Sequence, residues 1–192
     1  MKHLILLTLI FAAACHLRAA PITTTFTATA ASGSIGGNAF TGKAFTFIGQ
    51  GETNNRISFN NGFKIIHDSG SITIAEVGTF SFTTGTETFV NNFASLVGLS
   101  RAPGSDLYSF VDVIGSNTWD MTSNFSTGVI SSSLLQWGIS DVVTSGGILL
   151  FDSSEVIRGT FSAEVGNIPE PATSALIFVG LAAVIAMRRR RG

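Results

Sequence analysis

Cysteine, histidine and charge are all scarce in this 192-residue chain, and each scarcity removes a class of function. Cys15 is the single cysteine, so no intrachain disulfide can form, and stability must come from core burial and hydrogen bonding. Between Pro21 and Ile168 stands one histidine, His67, which with no cysteine in that stretch excludes the usual zinc sites. The same stretch has five cations (Lys43, Arg56, Lys64, Arg101, Arg158) against eleven acids, net −6. Nucleic acid and anionic lipid, which need clustered Lys and Arg, are therefore not its partners. Long apolar runs are missing too. Leu4 to Ala14 and Ser174 to Met187 both fall short of the roughly 20 residues that an ordinary membrane-spanning helix needs.

What is present at the start has the layout of a secretory signal peptide: Lys2, then the apolar run from Leu4, then small residues. Ala12-Ala13-Ala14 and Leu17-Arg18-Ala19-Ala20 each offer a cleavage site, so residues 1–20 are assigned as leader with cleavage near 14–20. Pro21 disfavours a cut directly before it. Cys15 after three alanines resembles a lipoprotein acylation site, but Ala12 stands where such sites have leucine.

Residues 21–167 read as one β-rich exported domain, large enough to bury a core. Period-two or β-branched segments recur at Ile22 to Thr29, Ala44 to Ile48, Arg56 to Phe59, Phe63 to His67, Ser71 to Ala75, Thr79 to Thr83, Glu87 to Val90, Leu134 to Trp137, Ile148 to Phe151 and Val156 to Val165. Turn signals separate them at Asn60-Asn61-Gly62, Asp68-Ser69-Gly70 and Ser145-Gly146-Gly147. Phe45/Phe47 and Phe80/Phe82 alternate with Ser and Thr, the pattern of strands with one face in a core and one in water. The expected fold is all-β, an antiparallel sandwich or jelly-roll-like ectodomain. Ser105 to Ile114 fits helix or strand equally. Ser32-Gly33-Ser34-Ile35 recurs 37 residues later as Ser69-Gly70-Ser71-Ile72, which is either a duplicated hairpin unit or coincidence.

The body offers no convincing catalytic constellation. His67 beside Asp68 has no Gly-x-Ser-x-Gly elbow to serve, and reads as a strand end before a turn. The carboxylate pairs Asp112/Asp120 and Asp152/Glu155 could in principle hydrolyse glycosides, yet any acidic domain supplies such pairs. Asn117, Asp120 and Asn124 could offer oxygen ligands to calcium, though no EF-hand or nonapeptide pattern is present. Trp119 and Tyr108 are candidates for a sugar-stacking platform, with Trp137 as a packed strand residue. No cofactor and no metal is expected.

Residues 168–192 differ in kind. Pro169-Glu170-Pro171 favours an extended segment that a protease groove could hold, or a rigid juxtamembrane spacer. Ser174 to Met187 would span about 21 Å as a helix against roughly 30 Å of hydrocarbon. Arg188, Arg189, Arg190 and Arg191 can snorkel at the interface, letting a short segment cross as one transmembrane helix. They also place that end in the cytoplasm and the body outside. This order of Pro-Glu-Pro, short apolar helix and arginine cluster resembles the PEP-CTERM sorting signal of Gram-negative bacteria, with Ile168 where the family often has valine. The resemblance implies recognition at Pro169, Glu170 and Pro171 by exosortase, a membrane-embedded cysteine protease, with the arginines as cytoplasmic stop. It also implies transient membrane anchoring followed by release to the cell surface or medium, in an exopolysaccharide or biofilm context. The expected protein is a non-catalytic structural or adhesive component of the envelope or matrix. A carbohydrate-binding module is the alternative, and a polysaccharide-acting hydrolase the third class.

Overall fold

The computed structural model describes residues 19–152 and 156–166. The expected span 174–187, Pro169-Glu170-Pro171, Arg188 to Arg191 and nearly all of the expected leader lie outside these. Among the described residues no helix is long and apolar enough to cross a membrane.

Alternation in the sequence becomes fifteen strands. They are β1 (Pro21–Ile35), β2 (Asn38–Glu52), β3 (Arg56–Phe59), β4 (Gly62–Ile66), β5 (Ser69–Ile74), β6 (Gly78–Ser81), β7 (Thr86–Asn91) and β8 (Leu96–Arg101). After these come β9 (Asp106–Phe110), β10 (Phe125–Ser126), β11 (Ile130–Leu134), β12 (Val142–Thr144), β13 (Gly147–Phe151), β14 (Val156–Gly159) and β15 (Phe161–Val165). One eight-stranded sheet has the order β10-β15-β1-β2-β5-β6, with β13 also on β1 and β12 on β13. The other, seven-stranded, runs β14-β11-β9-β8-β7-β4-β3. Every pairing is antiparallel.

The sheets pack through their aromatic faces, as a sandwich does. Phe26 of β1 is fully buried, 4.8 Å from Phe161 and 5.8 Å from Phe47 on its own sheet, measured between ring centroids. It meets Tyr108 and Phe110 of the opposite sheet, each at 6.2 Å. Pairs at such separations add packing energy beyond the area they bury. Trp137 caps one end of this layer against Phe151.

Several expectations change in detail. Within Ser105 to Ile114 only Asp106–Phe110 is strand, β9, and residues 111–114 are loop; β8 before it carries no period-two signal. Leu134 to Trp137 is not a strand: β11 ends at Leu134, and Trp137 is held beyond it by an indole N–H bond to the Leu107 carbonyl at 2.7 Å. Val156 to Val165 divides at Thr160 into β14 and β15, which belong to different sheets. The 37-residue echo falls on unlike places. Gly33 pairs with Phe40, whereas its counterpart Gly70 pairs with Gly49. Two asparagine pairs separated by the same 37 residues differ as well: Asn54-Asn55 sits in a 3-10 turn and Asn91-Asn92 at the end of β7. The repeat is one of composition, not of structure.

Candidate functional site

The site residues expected in the body are mostly spent on holding the fold. Tyr108 is fully buried; its hydroxyl donates to the Thr27 carbonyl at 2.8 Å and lies 2.8 Å from Ser132 Oγ. Burial pushes that phenol well above its ordinary pKa. Trp119 is 4% exposed, stacks on Phe125 at 4.8 Å and donates its indole N–H to the Ser123 carbonyl. Neither ring offers a face to a sugar, so the stacking platform expected at Trp119 and Tyr108 is not there. Large aromatics in a cysteine-free core are needed to fill it.

His67 is also structural. It leaves β4 and crosses toward β5 on the other sheet, with its ring against Gly49, where a Cβ would fall 2.5 Å from it. Nδ1 lies 2.9 Å from Thr86 Oγ1, and Nε2 lies 2.8 Å from Thr88 Oγ1 and 3.3 Å from Thr24 Oγ1. Burial brings the imidazole down from 6.5 to about 4, so the ring is neutral near pH 7. A neutral ring bracketed by three threonine hydroxyls ties the two sheets together.

Of the expected carboxylate and calcium groupings, Asp120 and Asn124 are engaged in local contacts, and the Asp152/Glu155 pair lies partly outside the described residues. The Asp120 carboxylate takes Arg56 Nη1 at 2.7 Å and the Thr122 hydroxyl at 2.6 Å. Desolvation raises its pKa, and those hydrogen bonds together with the Arg56 charge outweigh that and leave it lowered. Asn124 Oδ1 accepts from the Val165 N–H at 2.7 Å, and Asn117 is exposed. Asp112 is exposed at a φ of 54°, and Glu155 is outside the described residues. Among the described residues no three His, Cys, Asp or Glu side chains gather as a metal site.

A different site forms on the outer face of the seven-stranded sheet. Register sets Ile66, Glu87, Ser100 and Asp106 in one row across β4, β7, β8 and β9, and Lys64, Phe89 and Gly98 in the next. Glu87 points away from the core yet is only 3% exposed, because Lys64 lies over it. Lys64 Nζ is 3.3 Å from Oε1, in hydrogen-bonding geometry, and 3.0 Å from Oε2, without such alignment. Oε2 is therefore charge-paired but accepts no hydrogen bond. Phe89 lies across Gly98, where a Cβ would fall 2.5 Å from its ring. Ser100 donates to Asp106 Oδ1 at 3.0 Å.

Lys64, Glu87, Phe89, Ser100 and Asp106, together with Phe59 and Asn91, line a shallow cleft of about 310 Å³. Phe59 is 39% exposed and also lines a neighbouring cleft of about 490 Å³, which adds Asn60, Asn61 and the 87%-exposed Phe93. The sequence left a faint trace of this: exposed Phe59 and Phe93 flank asparagine pairs. Nothing local joined residues 59 to 106.

The attachment point of the tail is also visible. β15 runs antiparallel beside the start of β1, and the Gly166 N–H donates to the Pro21 carbonyl at 2.8 Å. Ala20 is buried, its N–H donating to Thr53 Oγ1 at 3.1 Å. The segments before residue 20 and after residue 166 thus join the sandwich side by side. Pro169 follows Gly166 by three residues, roughly 10 Å of chain at full extension.

Comparison with known proteins finds no curated protein and no solved structure that matches. Residues 167–191 do match a family model, that of the PEP-CTERM protein-sorting motif, and begin directly after the last described residue of the sandwich. The all-β domain is therefore followed, at residues 167–191, by a PEP-CTERM protein-sorting motif.

Proposed function

We propose that this protein is a non-catalytic β-sandwich, exported, anchored briefly in the membrane, and delivered to the cell surface or extracellular matrix by an exosortase-type protease, where it serves a structural or adhesive role. The observation that carries the reading is the sorting motif at residues 167–191, which implies export and processing by a membrane enzyme. Pro169, Glu170 and Pro171 are its recognition element, and Arg188 to Arg191 its cytoplasmic stop. Cleavage of the leader at Ala14 or Ala19 keeps Ala20, whose backbone bonds to Thr53 at both its N–H and its carbonyl.

A non-catalytic role accords with the spending of His67, Asp120 and Tyr108 on sheet-to-sheet and loop contacts. A matrix setting accords with a net-acidic domain whose outer faces carry many hydroxyls.

Intact-mass measurement of the protein from envelope and medium of its native host, beside Glu170→Ala, tests this. The wild type is expected to lose the leader and everything near or beyond Pro169, with the variant retained whole in the membrane. A wild-type protein that keeps its mass through Gly192 would overturn the sorting reading and leave a permanent anchor.

A further inference from the structure

We infer that the cleft on the outer face of the seven-stranded sheet binds a neutral oligosaccharide, with Phe59 as the ring on which it lies. This goes beyond the sorting reading and holds whether or not the tail is removed.

The chemistry of the lining selects the ligand class. Lys64, Glu87 and Asp106 sum to one negative charge, so an anionic ligand is repelled. A metal cation is disfavoured as well. The ammonium of Lys64 already sits 3.0 Å from Glu87, and Asp106 shares its Oδ1 with Ser100. What remains is a set of donors and acceptors without net demand for charge. Glu87 is buried beneath Lys64 and closed to a ligand; its role is to hold the Lys64 ammonium in place. The acceptor left to a ligand hydroxyl is Asp106 Oδ2, since Oδ1 accepts from Ser100. The Asn91 carbonyl oxygen is occupied by the Ala94 N–H, which leaves its amide NH₂ as a donor, and Lys64 Nζ has further protons to give.

A polyhydroxylated ring satisfies both kinds of group at once, because each hydroxyl donates and accepts. Its C–H face would pack on Phe59, the half-exposed aromatic wall; a few fixed polar groups beside an apolar wall is the usual make-up of a small-molecule site. The volume of about 310 Å³ is at the low end for such sites, room for a short stretch of ligand. Phe59 also borders the second cleft, at the β3–β4 turn, where Asn60, Asn61 and Phe93 line it. Both acids of the cleft are engaged within the protein, Glu87 by Lys64 and Asp106 by Ser100, and the cleft is read as one that binds.

The test uses the full chain in a sugar-free zwitterionic detergent. Ligand-observed NMR would be run with cello-, laminari-, malto-, manno- and chitohexaose, and with an alginate hexamer as anionic probe. At least one neutral hexasaccharide is expected to bind. Phe59→Ala and Asp106→Asn are each expected to weaken it by about 10-fold or more, a loss of roughly 1.4 kcal/mol, with the melting temperature and β-sheet circular dichroism retained. Three results would each overturn the proposal: no neutral hexasaccharide binding, binding by the alginate hexamer alone, or neutral binding unchanged in both variants. Because the mass measurement on the tail is separate, the two readings fail independently.

Discussion

The two outer faces of this sandwich share one core and differ in nearly everything else. On the eight-stranded sheet, register lines up Thr27, Thr46, Thr73 and Thr79 across four strands, with Thr160 Oγ1 2.8 Å from Thr27 Oγ1. The next row holds Ser126, Ser162, Thr25, Ile48, Ser71 and Ser81. Short hydroxyl side chains dominate this surface and pair with one another, as in the 2.8 Å contact between Thr73 and Thr79 hydroxyls. The cleft at its β10–β15 edge, about 290 Å³, has no exposed aromatic wall. On the seven-stranded sheet the short Ser100 lies between Glu87 and Asp106, and Phe89 lies flat across Gly98. A short side chain among longer ones is what makes a hollow. Concavity here is therefore a product of side-chain size at register positions, with no need for an inserted loop or a second domain.

The comparison can be broken most strongly at Lys64. Lys64→Met leaves Glu87, 3% exposed, without its counter-charge, and should cost about 3 kcal/mol by urea denaturation. Adding Glu87→Leu should recover most of that loss, since an apolar pair replaces a buried ionic one. A double variant no better than the single would show that the pair is not the source of the cost.

Next comes a property that belongs to neither outer face. His67 has a folded-state pKa of about 4, below its ordinary 6.5, so the unfolded chain binds the proton first as pH falls. Stability should be fully present above pH 6.5 and decline as pH drops toward 4, by on the order of 3 kcal/mol. His67→Gln should flatten that window in the pH dependence of the melting temperature; a slope that persists unchanged would assign it to other groups.

The smallest effect sharpens the contrast. Thr46→Val and Thr73→Val, each on the hydroxyl-bearing face, should change stability by no more than about 0.5 kcal/mol and leave oligosaccharide binding untouched. A loss of several-fold in binding from either would move the ligand site to the wrong sheet.

How much of this the sequence disclosed depends on how local each signal was. Strands with one wet face, such as β1 and β2, alternate visibly: Thr23, Thr25 and Thr27 face out while Ile22, Thr24 and Phe26 face in. The centre of the seven-stranded sheet does not alternate. In β7 the five residues Thr86 to Val90 are all buried, and β8 is buried from Val97 to Ser100. With both faces covered the period-two pattern vanishes, which is why β8 went unread and β9 was ambiguous. Trp119 and Tyr108 drew attention by rarity and turned out to be core. Phe59, one of fourteen phenylalanines in the body, did not stand out, and exposure, not identity, distinguishes it.

The sequence alone determined the all-β class, the absence of disulfides and the sorting motif at 167–191, because composition, period and contiguous motifs are properties of neighbouring residues. Tertiary structure decided which sheet each strand joined, which aromatics were buried, and that Phe59, Lys64, Glu87, Ser100 and Asp106 share one hollow. Those outcomes rest on antiparallel register between distant strands, and a one-residue slip would turn each of these side chains to the other face.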